Sequence, residues 1–228
     1  MYLNLLLHHR SKELGMGFRK LNGKNIVITG ASSGIGRAMA TQLVRSGNHV
    51  LALARREERL KELQDELQLA AGSLAYLAGD ITLEAYRQSA FDWISENWGG
   101  TLDVLVNNAG IGSIGPFAKS DEVTLRKVME VNFFAAVELT RLSLSGLKQS
   151  DVPVVCNIAS VLGHTAMPMK SEYCASKFAM HGFSDALRIE MAAEGINVVL
   201  VSPSTTRSEF FAAVLSGASQ QAKGMTAD

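Results

Sequence analysis

Six short runs of nearly unbroken apolar residues, spaced by longer amphipathic stretches, constrain this chain more than any other feature. They are "NIVIT" at 25–29, "HVLALA" at 49–54, "SLAYLA" at 73–78, "LDVLVN" at 102–107, "VPVVCNIAS" at 152–160 and "INVVLVS" at 196–202. A strand with one wet face alternates apolar and polar residues. Runs that are apolar throughout are covered on both faces, as in a parallel sheet between helices. The intervening segments fit those helices: Gly34 to Ser46, "REERLKELQDELQLA", "TLEAYRQSAFDWISENW", "EVTLRKVMEVNFFAAVELTRLSLSGL" and "SEYCASKFAMHGFSDALRIEMAAEG". Repeated βα units with right-handed crossovers predict an α/β fold, a doubly wound parallel sheet in three layers. A closed α/β barrel needs eight units, and about six are present. No linker or repeat divides the chain. One domain is expected over 24–228, preceded by an extension over 1–23.

Composition excludes several function classes. Lys+Arg and Asp+Glu number 22 each, so the net charge is zero and the basic footprint of a nucleic-acid binder is missing. The same balance argues against a polybasic membrane-surface protein. Cys156 and Cys174 read as small buried residues, which fits a reducing, cytoplasmic compartment. The leucines of "MYLNLLLHH" are too few to span a bilayer and lack the flanks of a targeting peptide. His8 and His9 have no ligand partners at metal spacing and read as solvated.

The first apolar run ends in "TGASSGIGRA", residues 29–38. Gly30, Gly34 and Gly36 occupy the turn into the first helix, where glycine permits a tight bend and lets backbone N–H groups approach a pyrophosphate. The spacing G-x-x-x-G-x-G departs from the common G-x-G-x-x-G, so its place after the first strand carries the nucleotide-binding reading. The second run tests which nucleotide. An acid about 20 residues beyond the glycines would bind a ribose 2′-hydroxyl and favour NAD. The sequence instead has Ala54, Arg55 and Arg56. A guanidinium there suits a 2′-phosphate, so NADP is favoured, with NAD as the alternative. The plainer reading pairs both arginines with Glu57 and Glu58.

"TGASSGIG" at 29–36, "NNAG" at 107–110, Asn132 in "VMEVNFF", Ser160 in "NIAS" and "YCASK" at 173–177 occur in one order. Together they resemble the short-chain dehydrogenase/reductase family, from about Lys24 to Ser208. The resemblance implies a Rossmann fold and an NAD(P)-dependent oxidoreductase acting on a small carbonyl or alcohol substrate. It assigns Tyr173 as proton donor and acceptor, with Lys177, four residues on, sharing its helical face. Lys177 is expected to lower the phenol pKa from about 10 and to hold the nicotinamide ribose. Ser160 would donate to the substrate oxygen, and Asn132 would hold a water leading from Lys177 to solvent. The Gly-x-Ser-x-Gly pattern of a serine hydrolase is absent around Ser160. His164 reads as a solvated or substrate-lining loop residue.

Further cofactor contacts implied by the resemblance are Ser32, Ser33 and Ile35 in the turn, Asp80 and Ile81 after the third strand, and Asn107, Ala109 and Gly110 after the fourth. Pro203, Thr205 and Thr206 follow the sixth. Asp80 reads alternatively as a neighbour of a helix cap, and Asn107 as a brace between strands. Met167, Met169, Phe210 and Phe211 suggest a hydrophobic substrate. Ser204 stands where the family often has Gly, and the chain stops where relatives add a helix and a seventh strand, leaving an exposed edge. Apolar residues on more than one face of 121–147, including Phe133, Phe134, Val137 and Leu144, predict a homodimer or homotetramer. The competing reading is a non-catalytic NADP-binding module.

Overall fold

The computed structural model describes residues 21–204. Six strands form one sheet in the order β3-β2-β1-β4-β5-β6. They are β1 (Asn25–Thr29), β2 (His49–Ala54), β3 (Ser73–Ala78), β4 (Val104–Asn107), β5 (Val154–Ile158) and β6 (Asn197–Val201), and every pairing is parallel. The helices between them are α1 (Gly34–Arg45), α2 (Glu57–Glu66), α3 (Glu84–Trp98), α4 (Glu122–Met129), α5 (Ala135–Leu147) and α6 (Ser171–Ala192).

Period-two alternation along the inner strands divides their side chains between two cores. Ile26, Ile28, Val50, Ala52, Val104 and Val106 pack with Ala40 and Val44 of α1 and Leu60 and Leu63 of α2. Val27, Leu51, Leu53 and Leu105 face Ala90 and Ile94 of α3, Leu139 and Leu147 of α5, and Leu187 of α6. Each fully buried side chain of this size contributes about 1.5–3 kcal/mol, so both helical layers are held by the sheet rather than by helix propensity. The expectation of strands buried on both faces holds for the inner strands. It is corrected for β3 and β6, whose first residues are exposed and whose others are mostly only partly covered. They are the outermost of the described strands, with a neighbour on one side only.

The chain reverses direction across the sheet between β1 and β4. Open α/β sheets form their crevice beyond the carboxyl ends of the strands at such a switch point. Five loops converge there, after β1, β2, β3, β4 and β5, joined by the end of β6.

The segment read as one helix over 121–147 contains a π-helical turn, Glu130–Phe134, between α4 and α5. Asp121 caps its start by accepting from the Thr124 N–H at 2.7 Å. The π turn carries Asn132, and such turns shift side chains out of helical register, often at functional sites.

Candidate active site

The loops beyond the strand ends line a cavity of about 450 Å³. One end is walled by Gly30, Ser32, Ser33, Gly34 and Ile35 together with Arg55 and Arg56. Asp80, Ile81, Asn108, Ala109 and Gly110 form its middle, and Ser160, Tyr173, Lys177 and Pro203 its far wall. Beyond these lie Ile111, Ser113, Ile114, Leu162, Met167 and Lys170.

The glycine turn is shaped by close approach. Gly30 has φ 67° and Gly34 φ 54°, the left-handed region that favours glycine. Gly36 does not line the cavity. A Cβ there would come within 2.5 Å of both the Gly30 carbonyl oxygen and the Asn108 amide, so Gly36 seats α1 against the turn. Asn108, unassigned in the sequence, donates to the Thr29 and Gly30 carbonyls at 2.8 and 3.3 Å. Thr29 Oγ1 accepts from the backbone N–H groups of Asn108 and Ala109. The turns after β1 and β4 are thereby fixed to each other. Ser33, at the N-cap of α1, makes no side-chain cap bond, which leaves the helix start facing the cavity.

Both arginines stand at this end, but they differ. Arg56 reaches back across the turn and donates to Ser32 Oγ at 3.1 Å and Ser33 Oγ at 2.6 Å. Arg55 lines the cavity and lies close enough to Asp80 to help hold its carboxyl below the usual range. Burial works against that shift. It is outweighed by Thr82, whose N–H and hydroxyl donate to Asp80 at 3.0 and 2.8 Å, with Arg55 and Lys127 assisting. Asp80 is thus both a wall residue and a brace of the turn before α3. Arg56, the second of the pair noted in the sequence, thus also lines this end.

Asn107 fits its alternative reading as a brace between strands. Its side chain is buried, donating to Thr140 Oγ1 at 2.9 Å and Asn157 Oδ1 at 2.8 Å, and Asn157 donates onward to Ser184 Oγ. These bonds tie β4 to α5 and, through β5, to α6.

At the other end, Tyr173 and Lys177 occupy successive turns of α6, with the Lys177 ammonium 5.7 Å from the phenol ring centre. Lys177 is buried at 4% exposure, and its Nζ donates to the Ile158 carbonyl at 3.0 Å. Burial lowers its pKa to about 8. Burial likewise raises that of Tyr173, opposed by a hydrogen bond from Ser160. Burial thus prevails over the Ser160 bond at the phenol, and the ammonium is engaged by Ile158. Ser160 Oγ also accepts from the Leu162 N–H at 3.1 Å, which leaves its proton for the phenol oxygen.

Asn132 lies behind the wall rather than in it. Its amide spans the Ile111 backbone, accepting from the N–H at 2.8 Å and donating to the carbonyl at 2.9 Å, and donates to Ser176 Oγ at 3.0 Å. A Cβ on Gly110 would lie 3.3 Å from Asn132 Oδ1 and 3.8 Å from Lys177 Nζ. Glycine thus keeps the backbone open beside the lysine. Glu172, also unassigned in the sequence, accepts from Ser113 at 2.9 Å and Ser171 at 3.1 Å, joining the loop after β4 to the start of α6.

Met167 lines the cavity as expected, and Met169 stands outside its wall with φ 65°. His164 is exposed, in line with the solvated reading, and meets Ser202 and His181 rather than the cavity. Cys156 and Cys174 are free and buried, as read from the sequence. Thr205, Thr206, Phe210 and Phe211 lie outside the described residues. Among the described residues, no helix is long and apolar enough to cross a membrane.

Comparisons with known proteins agree with this geometry. A Drosophila melanogaster protein named dehydrogenase/reductase SDR family protein 7-like is 34% identical over 220 residues, covering 92% of this chain and 68% of its own length. The chain spans 62% and 60% of two further curated relatives. Among solved structures, a short chain dehydrogenase/reductase from Burkholderia phymatum in complex with NAD has TM-score 0.82 at 27% identity, over 90% of this chain and 77% of that one. An alcohol dehydrogenase from the archaeon Thermococcus sibiricus, complexed with 5-hydroxy-NADP, has TM-score 0.78 at 25% identity, over 85% and 81%. The family model described as short chain dehydrogenase matches residues 24–218, and this chain belongs to the short-chain dehydrogenase/reductase family of oxidoreductases.

Proposed function

We propose that this protein is an NADP-dependent oxidoreductase that interconverts a small carbonyl compound and its alcohol, with Tyr173 as the general acid and base. The observation that carries the reading is the meeting of Ser160, Tyr173 and Lys177 on one wall of a cavity whose other end is the glycine turn and the arginine pair.

The residues present suit a dinucleotide. The uncapped start of α1 offers N–H groups to a pyrophosphate, and Gly30 and Gly34 bring backbone to the cavity surface. Arg55 and Arg56 offer guanidinium donors to a 2′-phosphate, with Ser32 and Ser33 between them and the turn. Ile81, Ala109 and Gly110 would meet the adenosine half, and Lys177 and Pro203 the nicotinamide half. When bound, the cofactor supplies or accepts the hydride at the substrate carbon.

The chain's own residues handle the oxygen and its proton. In reduction the Tyr173 hydroxyl gives its proton to the substrate oxygen as the carbon gains hydride, and in oxidation the phenolate takes it back. Ser160, already hydrogen-bonded to the phenol, donates to the same oxygen as negative charge develops. The Lys177 ammonium stabilises the phenolate electrostatically, at the 5.7 Å seen here or closer once drawn from Ile158. Asn132 holds the Ile111 backbone and, through Ser176, the helix bearing both catalytic groups.

The apolar residues Ile111, Ile114, Leu162 and Met167 favour a hydrophobic substrate. The exposed Phe134 and Phe178 support assembly through α4–α6 as a homodimer or homotetramer, and a cytoplasmic site of action suits the two free thiols. Titration of the protein with NADPH and with NADH, followed by nicotinamide fluorescence, tests the cofactor. The expected result is tighter binding of NADPH; preference for NADH would overturn the arginine reading while leaving a reductase.

A further inference from the structure

Glu172 stands one residue before Tyr173 and is 4% exposed, yet it forms no ion pair among the described residues. It lies in the first turn of α6, where an acid suits the helix dipole. An exposed carboxylate would serve the dipole as well, so the dipole does not account for the burial. Burying a charge costs free energy unless hydrogen bonds replace its water. Here Oε2 accepts two, from Ser113 Oγ at 2.9 Å and Ser171 Oγ at 3.1 Å, while Oε1 has no partner among the described residues. Burial acts to raise the Glu172 pKa, but the hydroxyl bonds outweigh it and hold the group below the usual carboxylate range. Ionised, the carboxylate only accepts, so both serines donate to it.

Ser113 is the distant partner, 59 positions away in the chain and buried. It belongs to the loop after β4, and that loop is fastened at every second residue. Ile111 is held through its backbone by Asn132, which also reaches Ser176 of α6. Ser113 is held by Glu172, and the Gly115 N–H donates to the Met169 carbonyl at 2.8 Å. All three ties run to α6 or to the turn that leads into it. Met169, with φ 65°, is the one non-glycine residue among those described in the left-handed region. Such a conformation persists where its surroundings hold it.

Both segments line the far end of the cavity: Ile111, Ser113 and Ile114 from the loop, Met167, Lys170 and Tyr173 from the turn and helix. Glu172 itself does not line it. The cofactor end has separate fastenings, Asn108 and Arg56 across the glycine turn. We propose that Glu172 is a positioning residue for the substrate: through Ser113 it sets the loop over 111–115 against Tyr173, so that a carbonyl compound is held at the phenol. The proposal rests on the reading of Tyr173 as proton donor to that compound. Loss of the clamp changes the substrate end of the cavity and spares the cofactor end.

Three variants separate this role from one in stability alone. Glu172→Gln keeps an oxygen for both serines, and Glu172→Leu keeps similar volume without an acceptor. Ser113→Ala removes the long-range bond and leaves Glu172 its Ser171 partner. Reduction of 9,10-phenanthrenequinone by NADPH, measured well below each melting temperature, gives kcat and KM for the quinone. Fluorescence titration gives the NADPH Kd. The expected result is a quinone kcat/KM lowered roughly 10- to 100-fold in Glu172→Leu and about fivefold or more in Ser113→Ala, the scale of a misplaced reacting group. The NADPH Kd should stay within about threefold in all three, and Glu172→Gln should recover kcat/KM to within about threefold of wild type.

An unchanged kcat/KM in Ser113→Ala would overturn the proposal even if Glu172→Leu failed to fold. So would a Gln variant as impaired as Leu, or equal losses in quinone kcat/KM and NADPH affinity. Amide exchange tests the clamp without turnover. In Ser113→Ala the Gly115 N–H should exchange about tenfold faster than in wild type, while the Ile111 N–H, held by Asn132, keeps its rate. Equal exchange at Gly115 in the two proteins would refute the clamp. Should the wild-type protein reduce no carbonyl probe, the reductase reading would fall, while amide exchange still decides the clamp.

Discussion

Replacing Lys177 with Met removes a cation from a place that penalises it. The ammonium is 4% exposed, and its hydrogen-bond partner is the neutral carbonyl of Ile158, 3.0 Å away. Burial lowers its pKa from 10.5 to about 8. That gap corresponds to roughly 3 kcal/mol spent keeping the ammonium charged in the folded state. Methionine fills similar volume without the charge but leaves the Ile158 carbonyl unpaired, which costs about 1–2 kcal/mol. The net expectation for Lys177→Met is a gain of about 1–2 kcal/mol at pH 7, or roughly 2–8 °C in melting temperature for a domain of this size.

The pH dependence gives the sign. Between pH 8 and 10.5 the unfolded chain binds more protons at this position than the folded one, so wild-type stability rises with pH across that window. The advantage of Lys177→Met should therefore be full at pH 7 and mostly gone near pH 10. Thermal melts of both proteins at both values, without nucleotide, measure it. A variant less stable than wild type at pH 7, or a difference that does not change with pH, would refute the reasoning. Carbonyl reduction should be lost in either case, so a stabilised and inactive protein is the expected combination.

Two further outcomes follow from the cofactor end of the cavity. Arg55→Ala and Arg56→Ala should each weaken NADPH binding about 10- to 100-fold, the worth of a charge-assisted hydrogen bond, while leaving NADH affinity within about threefold; equal losses for both nucleotides in fluorescence titrations would remove the 2′-phosphate assignment. Gly36→Ala places a Cβ 2.5 Å from the Gly30 carbonyl oxygen, so urea unfolding should report about 1–3 kcal/mol of lost stability, and an unchanged midpoint would contradict the packing role.

Much of this fold is legible in the sequence because the signals are local. "NIVIT", "HVLALA" and "SLAYLA" coincide with β1, β2 and β3 residue for residue, since each run is bounded by turn-forming or charged residues. The Tyr173–Lys177 pairing is legible for the same reason: a four-residue step on a helix is geometry that the sequence already contains. What escaped it depends on neighbours distant in the chain. Asn107 and Asn108 are adjacent and identical, yet one is turned inward to Thr140 and Asn157 and the other outward to the glycine turn. Strand alternation sends them to opposite faces, but which face meets the cavity is a property of the whole sheet. Arg55 and Arg56 divide likewise, since only the folded turn brings Ser32 and Ser33 within reach of Arg56. Spacing says nothing of burial either, and burial raises the Tyr173 pKa and lowers that of Lys177. His164 and His181 are 17 positions apart and meet through Ser202 on a third element.

The proposed mechanism depends most on Tyr173 moving the proton. Single-turnover reduction of 9,10-phenanthrenequinone by the NADPH complex, comparing wild type with Tyr173→Phe, tests this directly. The two differ by one hydroxyl, so NADPH should bind both within about threefold, while the hydride-transfer rate of the variant should fall roughly 10²- to 10⁴-fold. A Tyr173→Phe protein that transfers hydride at the wild-type rate would contradict the mechanism, and with it the reading of Ser160, Tyr173 and Lys177 as one catalytic group.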